Sequence, residues 1–508
     1  MSNKKKIFLN IITAILTLLS TATINFFLTP YIVRTLGVEA QGFLQLSTNF
    51  ASYVAVVTIA LNAMSGRFIS IAAQRGEAED AGRYYTSVLF GNIFLCAVMA
   101  LPLGLLILFV DRIISVPPVL VADVRILFAL SFISLFAGNI ILQWNNVFYI
   151  TDKIYLQSIG NCIGAVLKAL LVLVLFAFFA PRMWYMGLAA IVAMCFSAAW
   201  GLWFKAKLLP DLRVRLKLFS LAHLKEIVLS GIWRSIQGAG EILLSGLDLL
   251  ICNLMLGETA MGVLALAKIL PLFIGQLIWT ITSTFAPDLT IKYANGDLDG
   301  IRREIKKASK IISIICTIPL AGLMVFGREF FTLWVPTEDP MQLHLLSILL
   351  CINLAFATGV QPCGNIFVTV NRIKPQAVIV IISGLINILV VFLMLRYTNL
   401  GIYALAGASA ITGTIRNFIY TVPVAARYLG FKWNTFFYGF GYSLIGIAVT
   451  VMVGYTVKEA FSLTKWWSLV IAGSVTGGIA FVINGLLIFN KDERKLLKTI
   501  IMTKFIQR

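Results

Sequence analysis

Six polar side chains inside one apolar stretch pose the first chemical question. Ser230, Arg234, Gln237, Glu241, Ser245 and Asp248 follow one another at intervals of 4, 3, 4, 4 and 3. On an unbroken α-helix this spacing holds them within an arc of about 90° and carries the row roughly 21 Å from Arg234 to Asp248. A row of this kind either lines a hydrated path or ties helices together through ion pairs and hydrogen bonds. On the first reading Arg234 offers a partner to phosphate oxygens, Gln237 serves polar hydroxyls, and Glu241 and Asp248 pair with cations or carry a coupling proton or sodium ion. Asn139, Gln143 and Asn146, and again Gln361, Asn365 and Thr369, repeat the pattern more weakly, and hydrogen bonding between helices explains these equally well.

Four further cations, Arg67, Lys168, Lys268 and Arg416, lie in apolar runs, against Glu241, Asp248 and, near the end of a run, Asp288. A charge at mid-membrane costs ~2.5–3.5 kcal/mol on insertion scales, so each should face a partner or a cavity. Lys168 and Arg416 sit near the centres of their runs, whereas Arg67 is close enough to an end to snorkel. Cations outnumber acids, which suits a cavity for an anion; an exporter of organic cations needs the reverse. The expected site is therefore Arg234, Lys268, Arg416 and Lys168 with Gln237, Asn146 and Asn365, and Glu241 and Asp248 as ion-coupling or ion-pairing groups. No catalytic group, metal site or cofactor is expected. The only two histidines, His223 and His344, fall outside the expected spans, and neither HExxH nor GxxxxGK[ST] occurs.

The elements that position these groups follow from composition. Of 508 residues, 59% are hydrophobic and 12% charged, against roughly 25% charged in soluble domains; mean hydropathy is +0.92. The chain is thus expected to be an all-α polytopic membrane protein. Runs of about 20 apolar residues give about fourteen spans, from Ile7–Val33 to Trp466–Phe489. The first follows Lys4–Lys6 and reads as a retained span, not a cleaved leader. The net charge of +19 does not indicate nucleic acid, because the basic residues concentrate in alternate gaps. Those gaps include Lys205–Lys225, Lys292–Lys310 and Lys491–Arg508, while the opposite gaps hold little beyond Arg34, Arg112, Arg125, Arg182, Arg328, Arg396, Lys458 and Lys465. This asymmetry predicts cytoplasmic termini in the plasma membrane, with the basic gaps along anionic headgroups of membrane lipids. The seven cysteines form no CxxC pair and read as small buried hydrophobes. Gly160-xxx-Gly164 and Gly473-xxx-Gly477 read as packing sites.

An internal repeat orders the spans. Leu36-Gly37-Val38-Glu39-Ala40-Gln41-Gly42 lies over Leu256-Gly257-Glu258-Thr259-Ala260-Met261-Gly262, and Gly76 and Arg83 lie over Gly296 and Arg303. At an offset of 219, Asn146, Phe148 and Lys153 lie over Asn365, Phe367 and Arg372. Two parallel six-helix bundles plus two C-terminal helices follow. The expected divisions are a first bundle at 1–204, a basic linker at 205–226, a second bundle at 227–428, two extra helices at 429–490 and a basic tail at 491–508. Two such repeats imply a transporter with its site between them.

The stretches Asn25–Leu46 (NFFLTPYIVRTLGVEAQGFLQL) and Leu247–Lys268 (LDLLICNLMLGETAMGVLALAK) resemble the polysaccharide-export, O-antigen-flippase-like family of the multidrug/oligosaccharidyl-lipid/polysaccharide (MOP) flippase superfamily. The resemblance extends through the six-plus-six-plus-two layout. It implies two bundles around a central cavity that opens alternately to either side, and a substrate made of a sugar chain on a polyprenyl pyrophosphate, moved to the outer leaflet. Polysaccharide-assembly enzymes are implied partners. The first helix carries neither the acid of multidrug exporters nor a central arginine like that of lipid II flippases, which favours the oligosaccharide branch. The alternatives are a multidrug exporter or lipid II flippase of the same superfamily, and a non-transporting scaffold for polysaccharide synthesis. Leu36–Gly42 and Leu256–Gly262 are the expected outer hinges.

Overall fold

The computed structural model describes residues 3–151, 153–210 and 215–494. Arg213 in the expected linker and the tail from Lys495 onward lie outside them, as do the side chains of Lys4–Lys6. The described residues are predominantly helical, with no strand among them. Fourteen principal elements are α1 (Asn3–Leu36), α2 (Val38–Gln74), α3 (Ala78–Leu108), α4 (Val121–Ile150), α5 (Ile154–Phe178), α6 (Tyr185–Leu208), α7 (Leu221–Glu241 and Asp248–Leu256), α8 (Glu258–Ser283), α9 (Leu298–Trp334), α10 (Pro340–Ala357), α11 (Ile373–Tyr397), α12 (Ile402–Arg416), α13 (Tyr438–Ala460) and α14 (Trp466–Ile488). Among the described residues, eleven helices are long and apolar enough to cross a membrane, or twelve when the bent α7 counts as one. The protein is a polytopic all-α membrane protein; the number fourteen for the spans is not reached by this criterion.

The chain forms two compact units, Met1–Gly262 and Val263–Arg508. In the first, α1 lies along α5, where the Thr17 hydroxyl donates to the Ser158 carbonyl (2.9 Å) and Leu28, Ile32, Val172, Phe176 and Ala189 form a common core. Gly160 lets Trp200 of α6 lie against α5, and the Trp200 indole donates to the Leu156 carbonyl (3.1 Å). α7 belongs to this unit. Its Gly231, Ser235 and Gly238 form a small-residue stripe on α2: a Cβ on Gly231 would run into the Ala60 carbonyl, and Ser235 donates to the Val56 carbonyl (2.8 Å). With no hydrophobic drive between helices in lipid, close backbone approach of this kind supplies the dispersion contact that holds them.

In the second unit α9 is central. Gly446 and Gly454 of α13 seat on Thr317 and Val325 of α9, and Asn484 of α14 donates to Thr450 of α13 (3.2 Å), so the last two helices are built into this unit. The Gly473-xxx-Gly477 expectation is not met in full. Gly473 faces open space and Gly477 only touches Ile318 at ordinary distance.

The repeat reappears in backbone conformation. Gly37 (φ 86, ψ 167) and Gly257 (φ 91, ψ 176) adopt the same region, one open essentially to glycine alone. Gly76 (φ 79) and Gly296 (φ 70) match as well. At the other offset α5 and α11 are both 25 residues long. Lys153 N–H donates to the Phe148 carbonyl as Arg372 N–H does to Phe367, both at 2.8 Å.

Two spans are broken where continuous helices were expected. In α7 a π-helical turn covers Ile242–Gly246, and the two pieces meet at a bend of 40°. After α12 a second π turn covers Asn417–Thr421, followed by the short helix Val422–Tyr428. Single π turns inside α-helices concentrate at functional positions.

Candidate functional site

The row on α7 becomes a hydrogen-bonded ladder. Arg234 donates from Nη1 to Gln237 Oε1 (3.2 Å), Gln237 donates from Nε2 to Glu241 Oε1 (3.0 Å), and the Ser245 hydroxyl donates to the Glu241 carbonyl (3.3 Å). Gln237 thus relays between the two charges. Ser230, Arg234, Glu241 and Ser245 are exposed and Gln237 is half-buried. The ladder lies about a quarter-turn round the helix from the Gly231, Ser235 and Gly238 stripe, so packing on α2 leaves it uncovered by that helix.

Asp248 departs from the row. The arc that placed it with the others assumes an unbroken helix, and the π turn between Glu241 and Asp248 rotates the second piece. Asp248 is 3% exposed and acts electrostatically on the Tyr53 hydroxyl of α2. At the same place the Gly246 carbonyl, freed by the break, accepts from Tyr53 Oη (2.6 Å) and Asn49 Nδ2 (3.4 Å). A bent helix in lipid must re-satisfy its freed backbone groups in this manner.

The other expected residues lie on further helices of each unit. Lys168 is half-buried on α5 and Arg67 exposed on α2. Asn146 donates to Gln143 (3.1 Å) and Ser65 (3.4 Å), within an amide network of the first unit. In that network Asn92 donates to Asn62 (2.8 Å), Gln143 to Asn62 (3.1 Å) and Asn62 to Asn139 (3.1 Å). Sequence reasoning passed over Asn62 and Asn92; Asn92 is the single amide of its apolar run, an isolation that could have marked it, whereas Asn62 shares its run with Gln45 and Asn49. In the second unit Lys268 of α8 is buried at 8% exposure. Arg416 is half-buried and immediately precedes the π turn of the twelfth span, and Asn365 donates to the Thr282 carbonyl (3.2 Å). The structure therefore brings together Arg234, Gln237 and Glu241, sets Asn146 in the amide network of the first unit and buries Asp248 beside the bend of α7.

A cavity of about 390 Å³ lies between α2, α3 and α7, lined by Val56, Ala60, Leu61, Leu95, Ile232 and Ile236 among others. It is apolar apart from Ser235 and offers no partner to a charged group. Among the described residues no cluster of histidine, cysteine, aspartate and glutamate could hold a metal ion.

No family model matches the chain. It is 31% identical over 481 residues to the uncharacterized membrane protein EpsK of Bacillus subtilis (strain 168), an alignment covering 93% of this chain and 94% of the relative. The chain belongs to the family of this membrane protein, EpsK. Solved structures agree on the fold. The lipid II flippase MurJ in an inward closed conformation aligns with a TM-score of 0.62 at 13% identity, covering 96% of this chain and all of MurJ. An inward-facing multidrug resistance MATE family transporter aligns with a TM-score of 0.62 at 14% identity, covering 86% of this chain and 98% of the other. This member of the EpsK family is thus a multi-pass membrane protein that shares its fold with MurJ and the MATE transporter.

Proposed function

We propose that the protein is a flippase that moves a polyprenyl-pyrophosphate-linked oligosaccharide from the inner to the outer leaflet by alternating access, for assembly of a cell-surface polysaccharide. The observation that carries this is the exposed Arg234–Gln237–Glu241 ladder on a transmembrane helix. A guanidinium held by a neutral amide and not locked onto a carboxylate remains available to a second anion, and a pyrophosphate supplies oxygens to replace its lost hydration. Arg234, Lys268, Arg416 and Lys168 receive the pyrophosphate in turn as access alternates. Gln237, Asn146 and Asn365 serve the glycan; the latter two donate to protein acceptors and offer their carbonyl oxygens to sugar hydroxyls. Glu241 balances Arg234 in the unloaded protein, and Asp248, beside the bend of α7, is the second candidate for coupling to a proton or sodium ion. Both termini lie in the cytoplasm on this reading, where glycan-assembling enzymes deliver the substrate.

The test is the appearance of a labelled pyrophosphate-linked glycan in the outer leaflet of proteoliposomes. Arg234→Ala and Arg416→Ala should each slow flipping at least tenfold, and Gln237→Leu should slow it about fivefold, in keeping with the loss of one hydrogen bond to a charged group. Unchanged flipping in both arginine variants removes the cation assignment. Absence of flipping by the wild type alongside intact drug efflux establishes the multidrug exporter instead. A second reading, transport of lipid II, is favoured by the larger share of the chain that aligns with MurJ; the same assay run with lipid II separates the two.

A further inference from the structure

The cytoplasm-expected end of α9 carries a basic row of another kind. Arg302, Lys306 and Lys310 recur every fourth residue on one face of the helix, and each lies over an aromatic ring. The Arg302 guanidinium is 5.9 Å from the centroid of Phe431, Lys306 Nζ is 5.8 Å from that of Tyr438, and Lys310 Nζ is 5.9 Å from that of Tyr442. These distances lie within the reach of a cation–π attraction.

The three cations are not equivalent. Lys310 is 1% exposed and bonded to Glu493 at 2.6 Å, so its charge is spent inside the protein. In the neighbouring row each cation has a carboxylate nearby, Arg303 with Asp297 (3.9 Å) and Lys307 with Glu304 (3.5 Å), which Lys292 also holds. Arg302 and Lys306 are exposed and make no ion pair among the described residues. They stand a turn apart, each within reach of a ring, and Lys306 also lies within electrostatic range of Glu493.

Their depth identifies the medium they meet. α9 has 37 residues, about 55 Å of helix against a hydrocarbon core of about 30 Å. Its outer residues therefore extend into the headgroup layer, and the polar, basic first turns are the end that does so. Beside them Trp433 is 54% exposed and Lys432 is exposed, the combination of aromatic and basic side chains that settles at a membrane interface. We infer that Arg302 and Lys306, backed by Phe431 and Tyr438, form a binding site for the phosphodiester of an anionic phospholipid in the adjoining leaflet. The occupant is bilayer lipid and not the transported molecule, so the inference stands apart from the proposed transport.

Binding of phosphatidylglycerol to the full-length protein in nanodiscs otherwise made of phosphatidylcholine tests it. Arg302→Gln with Lys306→Gln should weaken binding roughly thirtyfold, from the attraction each surface cation contributes. Arg303→Gln with Lys307→Gln should change it less than threefold, and Arg302→Lys with Lys306→Arg should retain it. Equal losses in the two glutamine pairs mean diffuse surface charge and overturn the site, as does unchanged binding in the first pair. Binding of a prenyl pyrophosphate, in a protein to which phosphatidylglycerol does not bind, overturns it in favour of a substrate-loading position. Thermal unfolding of each variant, carried out in phosphatidylcholine alone, separates loss of binding from loss of fold.

Discussion

At the scale of single residues, each charge inside this protein is defined by what neutralises it. Lys310 is buried with a carboxylate, Arg234 is held by an amide, and Arg302 rests on a ring. The Lys310–Glu493 pair has a consequence for pH. Partial burial pushes the Glu493 carboxyl up, but the hydrogen bond from Lys310, with another from the Asn490 backbone, outweighs burial and holds it below its ordinary value of 4.5. A carboxylate lowered in this way contributes stability that is present above its unfolded value and is lost as pH falls through its folded one. The segment Asn490–Arg494 should therefore detach from α9 on acidification below about pH 4.5. Limited proteolysis at this segment across pH 6 to 3 checks this. Cleavage should rise with acid in the wild type and be high and nearly flat in Glu493→Gln; parallel profiles for the two proteins contradict it.

At the scale of elements, what could be read in advance was what repeats or is local. Gly37 and Gly257, paired by their surrounding letters, share a backbone conformation that other residues reach at a cost of about 1–3 kcal/mol. Gly37→Ala and Gly257→Ala should each lower thermal stability in detergent by about that amount, whereas Gly364→Ala, in a helix with open space at its Cβ, should be nearly silent. Equal effects at all three positions contradict the shared conformation. The break in α7 was not legible. Ile242-Leu243-Leu244-Ser245-Gly246 contains no proline, and the polar spacing runs through it as though the helix were continuous. What bends it is tertiary: Tyr53 and Asn49 of α2 are placed to donate to the stray Gly246 carbonyl, and Asp248 turns inward. The Asn62–Asn92–Asn139 network was hidden for the same reason, because its members lie on three helices and acquire meaning only when these pack. The candidate site was correspondingly legible only in its local part. Arg234, Gln237 and Glu241 lie within two turns of one helix and meet as their spacing requires, while Asn146 is engaged by neighbours that no spacing on its own helix reveals.

At the scale of the whole molecule, an apolar composition, a duplicated helical plan and membership of the EpsK family together make this a polytopic membrane protein, for which transport is the proposed role. The choice of cargo rests on whether the α7 ladder meets water. Lipid would not tolerate a guanidinium, an amide and a carboxylate in a row without a compensating partner, whereas a hydrated path explains why they are exposed. The most direct measurement replaces Ser230 and Ser245, which bracket the ladder, by cysteine in a background lacking the seven native cysteines. It then follows their reaction with a water-soluble, membrane-impermeant maleimide in the reconstituted protein. Both Ser230→Cys and Ser245→Cys should react within tenfold of the rate of a cysteine placed in an exposed loop, and a polyprenyl-pyrophosphate-linked glycan should slow both. Failure of both to react, while the loop control is modified, would place the ladder against lipid and contradict the account.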